Sequence, residues 1–224
     1  MRVQFEDIFK KINESQNLVE PTEGLVQEWT DYYLKKFKEW GYNDNGWNSK
    51  LARYFAKYAI CNVHRTETHR PFRKGLFLAG TTGTGKTLIM EIFSELFEVK
   101  MMHVETIAKD YAKFGEEVWE WIDPKLQSGI GFQGLQNGLI LDDIGTERDA
   151  GHYGNKGFIP ALLGVRYERF IQSGKLTHFT ANLSTEEIKQ HYGERIWSRF
   201  NEMCVFVSMT GKDMRMPSTA KASS

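Results

Sequence analysis

The sequence predicts an α/β fold in which helices cover both faces of a central, parallel, five-stranded sheet. Short apolar runs that read as buried strands alternate with longer segments of helical periodicity. A glycine-rich loop, Gly80 to Thr87, follows the first of these runs and leads directly into a helical pattern. A later apolar run ends in two carboxylates, Asp142 and Asp143. Alternation of this kind predicts parallel strands that are joined by crossover helices.

Length and composition allow one sizeable core and a small appendage. The 224 residues are 41% hydrophobic and 26% charged, and no apolar run approaches the roughly 20 residues of a membrane span. The net charge is zero, so any contact with nucleic acid must be local. Two distant cysteines, Cys61 and Cys204, and an N-terminus without a secretory pattern predict a cytoplasmic protein with reduced thiols and no membrane partner.

The glycine-rich loop matches the phosphate-binding pattern G-x-x-x-x-G-K-[ST] between a strand and a helix. Its glycines let successive backbone N–H groups point inward, and the following helix adds its positive end. Lys86 would reach the β- and γ-phosphates of ATP, and the Thr87 hydroxyl would be a ligand of the bridging Mg²⁺. The alternative is a turn that binds nothing. The predicted nucleotide-binding residues are Gly80, Thr81, Thr82, Gly83, Thr84, Gly85, Lys86, Thr87 and Leu88.

The acid-terminated run, Leu139 to Ile144, has the form of a Walker B strand. Asp142 would hold Mg²⁺ through its water shell, and Asp143 would orient or polarise the attacking water. Two acids after a strand could also form a turn or a helix cap. The phosphate loop earlier in the chain favours the catalytic interpretation.

A further strand, 176–181, ends in Asn182, which is placed to hold the lytic water or to sense the γ-phosphate. The alternative is that Asn182 simply caps the helix that begins near Thr185.

Arg195 and Arg199 are spaced to share one helix face, and such a pair can meet the phosphate of a neighbouring subunit's nucleotide. Salt bridges to Glu187 or Glu194 are the alternative.

The chain divides into three predicted regions. Residues 1–45 carry an aromatic stripe at helical spacing and form a helical N-terminal segment, whose stripe is either core or a partner-binding surface. Residues 46–216 form the ATPase domain. Residues 217–224 form a disordered tail.

In combination, these motifs resemble the AAA+ ATPases of the DnaC/DnaI helicase-loader and IstB transposition-helper group. The resemblance covers roughly residues 47–216 and implies a P-loop NTPase of the AAA+ (ASCE) type, with a lid that is reduced or absent. The segments that carry it are Gly80 to Thr87, Leu139 to Gly145, Arg166-Tyr167-Glu168, Thr180-Ala181-Asn182-Leu183, and Gly193-Glu194-Arg195 through Ser198-Arg199-Phe200.

The resemblance also implies roles for individual residues. Asn182 becomes sensor 1, Arg199 or Arg195 becomes the arginine finger, and Arg215 becomes a C-terminal nucleotide sensor. It further implies self-association with ATP sites at subunit interfaces, single-stranded DNA contacts from the helices after the second strand, and a replicative helicase or a transposase as partner.

Two other functions fit parts of the pattern. An IstB-like transposition helper would use the same motifs. A small-molecule phosphotransferase shares the phosphate loop, but it needs an acceptor pocket and lid arginines, which an arginine-bearing box late in the chain does not supply.

Overall fold

A computed structural model of the chain describes residues 22–39, 46–64, 74–97, 99–122, 138–147 and 157–209. They group into two compact units that divide between Arg73 and Lys74. The boundary predicted from the sequence lies at residues 45/46, and the functions of the three predicted regions stay a prediction. The predicted tail, the reduced lid and Arg215 lie outside the described residues.

The described residues of the first unit form two helices, α1 (Glu23–Glu39) and α2 (Gly46–His64). The aromatic stripe of α1 is buried, as its core interpretation predicts. Across the two helices, the rings of Tyr33 and Phe55 lie 5.9 Å apart. Because α2 supplies apolar partners for α1, it groups with the N-terminal segment and not with the region that follows. The buried stripe residues of α1 are Val26, Trp29, Tyr33 and Phe37.

The second unit is built on a five-stranded sheet in which every adjacent pair is parallel, in the order β2-β3-β4-β1-β5. This confirms the predicted α/β fold. Its described residues form β1 (Gly75–Gly80), α3 (Lys86–Phe97), β2 (Lys100–His103), α4 (Val104–Phe114), a 3₁₀ turn (Gly115–Glu117), α5 (Val118–Ile122), β3 (Leu139–Ile144), α6 (Phe158–Ser173), β4 (Thr177–Ala181), α7 (Thr185–Met203) and β5 (Cys204–Met209).

Helices cover both faces of this sheet. On one face, Phe77 and Phe179 stack with their ring centroids 5.4 Å apart, and Phe200 of α7 meets Phe77 edge-on at 5.0 Å. On the other face, His178 lies 4.9 Å from the ring of Phe93 on α3. Neighbouring residues of a strand point to opposite faces, so α3 and α7 belong to different layers. Among the described helices, none has the length and apolarity needed to cross a membrane.

Two buried polar side chains form hydrogen bonds around β4. Arg166 of α6 donates to the Thr177 hydroxyl at 2.9 Å and to the Leu176 carbonyl at 3.0 Å. His178 accepts a hydrogen bond from the Leu76 N–H of β1 at 3.2 Å. Burial, and then the Arg166 charge, lower the pKa of His178 to about 3, so the imidazole stays neutral at physiological pH. Arg166, which the sequence singled out only as part of a motif, therefore anchors α6 to the sheet.

Candidate functional site

The phosphate loop joins β1 to α3, as the sequence predicts. Gly80, Gly83 and Gly85 have φ angles of 138°, 79° and 83°, a region that residues with a side chain rarely adopt. Space is also limited, because a Cβ on Gly80 would lie 2.2 Å from the Met209 carbonyl oxygen of β5. The loop path thus requires these glycines, and it leads into the N-terminus of α3.

The loop holds a buried cation. The ammonium group of Lys86 donates to the carbonyl oxygens of Gly80, at 3.0 Å, and of Thr81, at 2.6 Å, and only 3% of the residue is exposed. Thr81 and Thr82 are exposed at the rim of the loop, and Leu88 is half-buried on α3. A buried positive charge at the N-terminus of a helix suits an oligophosphate.

The two residues that the sequence predicts as Mg²⁺ ligands, Thr87 and Asp142, lie close together in the structure. The Thr87 hydroxyl lies 3.1 Å and 3.3 Å from the two carboxylate oxygens of Asp142, which is fully buried. The two residues belong to α3 and β3, and β4 separates β3 from the strand of the loop. Mg²⁺ at phosphate-transfer sites takes one or two protein oxygens and completes its shell with phosphate and water. The hydroxyl and carboxylate of this pair fit that requirement.

Two further residues hold the Asp142 carboxylate. Thr180 donates to its Oδ1 at 2.6 Å, and His103 Nδ1 lies 3.0 Å from its Oδ2. Neither side chain has a role that was predicted from the sequence. They lie on β2 and β4, the two strands that flank β3. Their proximity to Asp142 follows from the order of the strands in the sheet, which no local sequence pattern indicates.

Asp143 adopts an unusual backbone conformation, with a φ of 61°, the only positive φ outside glycine in the described ranges. Aspartate tolerates this left-handed region better than most residues. Its N–H donates to the Thr180 hydroxyl at 2.8 Å, and its Oδ1 accepts from the Asn182 amide at 2.9 Å. Hydrogen bonds therefore fix both the backbone and the half-buried carboxylate of Asp143.

Asn182 does not cap the following helix. Ser184 is the N-cap of α7 and forms a capping box with Glu187. The capping alternative for Asn182 is wrong, because Ser184 already takes that place. Its amide instead holds Asp143, while its role as a phosphate sensor stays a prediction.

The two arginines lie on the second half of α7, after a non-helical residue, Gly193. Arg195 is exposed, and the guanidinium of Arg199 lies 5.2 Å from the ring centroid of Tyr167 on α6. The carboxylates named as alternative partners are engaged elsewhere. Glu194 pairs with Lys189 at 2.8 Å, and Glu187 belongs to the capping box. Arg199 thus contacts the ring of Tyr167 and not the carboxylates of the alternative salt bridges.

Arg199 does not join the phosphate loop of its own chain. Helix α7 ends at Met203, directly before β5 begins, and Lys74, the residue before β1, donates to the Asn201 carbonyl at 2.7 Å. Arg199 therefore lies towards the amino ends of these parallel strands, whereas the loop follows the carboxyl end of β1. The six residues of β1 span about 20 Å, more than a side chain can bridge.

A contact that the sequence analysis missed links the Walker B turn to α7. Glu147 accepts from the Gly145 N–H at 2.8 Å and also from the hydroxyl of Tyr192, next to Gly193. Burial first, and then the Glu147 charge, raise the pKa of Tyr192, which stays protonated. The turn after Asp143 is thus tied to the residue that precedes the arginine-bearing segment.

No protein-family model matches the chain, and no curated protein matches it. Among solved structures, the chain is similar to a protein described as a primosome component of Streptococcus pyogenes serotype M3, to DnaI and to the DnaC helicase loader. The identities are 22%, 19% and 17%, over 71%, 76% and 80% of this chain and 80%, 85% and 99% of those chains, with TM-scores of 0.48, 0.49 and 0.47. DnaI and DnaC, which the sequence motifs resemble, are thus among the solved structures similar to this chain.

Proposed function

We propose that the protein is a cytoplasmic, Mg²⁺-dependent ATPase that acts in DNA replication in the manner of a helicase loader, with ATP sites at the interfaces of an oligomer. One observation carries the ATPase proposal. A continuous hydrogen-bonded chain runs from Thr87 through Asp142 and Thr180 to Asp143 and Asn182, beside a loop that contains a buried lysine. Phosphate binding, metal binding and water activation need these groups in this proximity.

Each group of the chain has a separate task in this proposal. The Lys86 ammonium and the N-terminus of α3 bind the phosphates, while Thr87 and Asp142 would hold the metal. When bound, Mg²⁺ would neutralise charge on the phosphate oxygens. Asp143 accepts a proton from, or orients, the attacking water, and the Asn182 amide keeps the Asp143 carboxylate in place.

Asp143→Asn tests the division of labour between the two acids. We expect Mg·ATP binding to remain near the wild-type level, because Asp142 and Thr87 are unchanged, and the hydrolysis rate to fall about 10²–10⁴-fold, as for a lost general base. Asparagine also tolerates the left-handed backbone, so folding should be preserved. Binding is measured by calorimetry and turnover by phosphate release.

The matched comparison for that variant is Asp142→Asn, which should weaken Mg-dependent binding as well as turnover. If Asp143→Asn loses binding and turnover together, Asp143 is a metal ligand or a structural group, and the proposed base is wrong.

A surface for single-stranded DNA is proposed on the elements after β2. Phe114 and Trp121 are 37% and 48% exposed, lie 5.1 Å apart and meet edge to face. Lys113 lies over the Phe114 ring at 4.7 Å. Exposed aromatic rings beside a lysine can stack on unpaired bases. Glutamates at 116, 117 and 120 stand close by in sequence, so stacking should contribute more than phosphate contacts.

ATP turnover measured with and without single-stranded DNA separates the loader proposal from the phosphotransferase alternative. We expect turnover to depend on DNA in the wild-type protein, and Trp121→Ala to weaken DNA binding about five- to a hundredfold, the cost of one stacking contact. Ile171→Ala is the control, because Ile171 is another exposed hydrophobic residue, 57% exposed, and lies on a different helix, α6.

Turnover that ignores DNA but rises with a small hydroxylated acceptor would favour a phosphotransferase. DNA-dependent turnover that requires a transposase, and not a replicative helicase, would favour the IstB-like alternative.

A further inference from the structure

The two Walker B carboxylates are neighbours in sequence, yet both take part in one hydrogen-bonded network. In a regular strand, neighbouring side chains point to opposite faces of the sheet. Here the pairing of β3 with β4 shifts register: Leu141 pairs with Phe179, and the next pair is Ile144 with Ala181. Two residues of β3, Asp142 and Asp143, therefore face a single residue of β4, Thr180. Such a bulge redirects side chains and is often found beside active sites.

The Thr180 hydroxyl bonds both residues of the bulge, and its direction is fixed by chemistry. The Asp143 backbone N–H can only donate, so the hydroxyl oxygen accepts from it at 2.8 Å. The single hydroxyl proton is then left for the Asp142 carboxylate, whose Oδ1 lies 2.6 Å away. One side chain thus accepts a hydrogen bond from the bulged N–H and orients the carboxylate beside Thr87.

We propose that Thr180 is a positioning residue of the ATPase site, which sets Asp142 for the metal and holds Asp143 in its left-handed conformation. The inference rests on the proposed ATPase function. Thr180 would not touch nucleotide or water itself. It acts through the two acids, so its loss should alter metal use and the rate of the chemical step while leaving metal-free nucleotide binding at the loop intact.

The same strand contains a matched control. Thr177 is also fully buried in β4, and its hydroxyl accepts a hydrogen bond from Arg166 at 2.9 Å. A purely structural threonine in β4 would behave like Thr177. Replacing either residue by valine removes one buried hydroxyl at nearly constant volume, so both variants should have a lower melting temperature than the wild type.

The experiment compares Thr180→Val, Thr180→Ser and Thr177→Val in the full chain. Calorimetry gives the ATP dissociation constant with Mg²⁺ and with EDTA, and steady-state assays give kcat and KM. For Thr180→Val we expect kcat and the apparent affinity for Mg²⁺ to fall about 10–100-fold, the usual effect of losing an outer partner of a metal ligand, with ATP binding in EDTA unchanged. Thr180→Ser restores the hydroxyl and should restore both quantities. Thr177→Val should lower only the melting temperature.

Three outcomes would overturn the inference: Thr180→Val with wild-type kcat and Mg²⁺ dependence, Thr180→Ser no better than Thr180→Val, or Thr177→Val with the same losses. If Thr180→Val does not fold, Thr180→Ala removes the same hydroxyl with less bulk, and the same comparison applies. A wild-type protein that neither binds nor hydrolyses ATP would contradict the proposed function itself, and this role with it.

Discussion

Lys86→Ala is expected to abolish detectable ATP hydrolysis. The wild-type ammonium is buried inside the loop and bonds the carbonyl oxygens of Gly80 and Thr81, so its charge is held where an oligophosphate would lie. Without it, nucleotide binding should weaken about ten- to a hundredfold, the worth of a charge-assisted hydrogen bond. Hydrolysis should fall further, because the lysine also stabilises charge that develops on the phosphates during transfer.

Two control variants separate charge from packing. Lys86→Met keeps most of the side-chain length without the charge and should fail in the same way. Lys109→Ala removes an exposed lysine that pairs with Glu105 on α4 at 2.9 Å, and it should leave turnover unchanged because surface pairs contribute little. Near-normal hydrolysis by Lys86→Met would contradict the assignment of the loop. Binding is measured by calorimetry and turnover by phosphate release.

The parts of the fold that sequence reasoning predicted are those with dense local signals. The loop lies between an apolar strand and a helix, and both flanks are as predicted. Helix α7 begins at the predicted Thr185 because Ser184 and Glu187 form a capping box, a pattern of four residues. The sequence signal for the strand that leads to Asp142 is equally local. Its apolar residues are buried on both faces, as expected for an inner strand of a parallel sheet.

The features of the fold and the site that were not predicted depend on contacts between segments that are distant in sequence. His103 and Thr180 reach Asp142 because β2 and β4 flank β3, and strand order is not encoded in periodicity. The bulge at Asp143 also arises only from pairing with β4. The two compact units divide after α2 because the apolar faces of α1 and α2 pack against each other, a contact between separate segments that periodicity does not show.

The second large effect is expected from Arg199→Ala, if the arginine completes the site of a neighbouring subunit. Arg199 lies towards the amino edge of the sheet and rests over the Tyr167 ring, whereas the loop follows the opposite edge. Arg199 can therefore contact only a nucleotide that is bound to another copy of the chain. An arginine finger contributes about 10³–10⁵ in rate, so the variant should nearly lose turnover while the monomer still binds ATP.

Arg195→Ala identifies which arginine acts. Arg195 is exposed and lies one helical turn before Arg199. Each of the two variants therefore keeps one of the two arginines on this segment and lacks the other. Only the variant that lacks the finger should show the large loss. Arg199 also contacts Tyr167, so the melting temperature of the Arg199→Ala variant is measured in parallel. A large drop in that temperature would indicate a structural contribution of Arg199.

Mixing Arg199→Ala with Lys86→Ala gives the decisive result. Each variant is inactive alone, but a hybrid interface can join an intact loop from one copy to an intact Arg199 from the other. Partial activity should therefore return on mixing and rise with protein concentration, because association is bimolecular. Subunit exchange is verified independently by fluorescence transfer between labelled copies. If exchange occurs and activity stays absent at every mixing ratio, Arg199 is a structural partner of Tyr167 and the shared-site proposal fails.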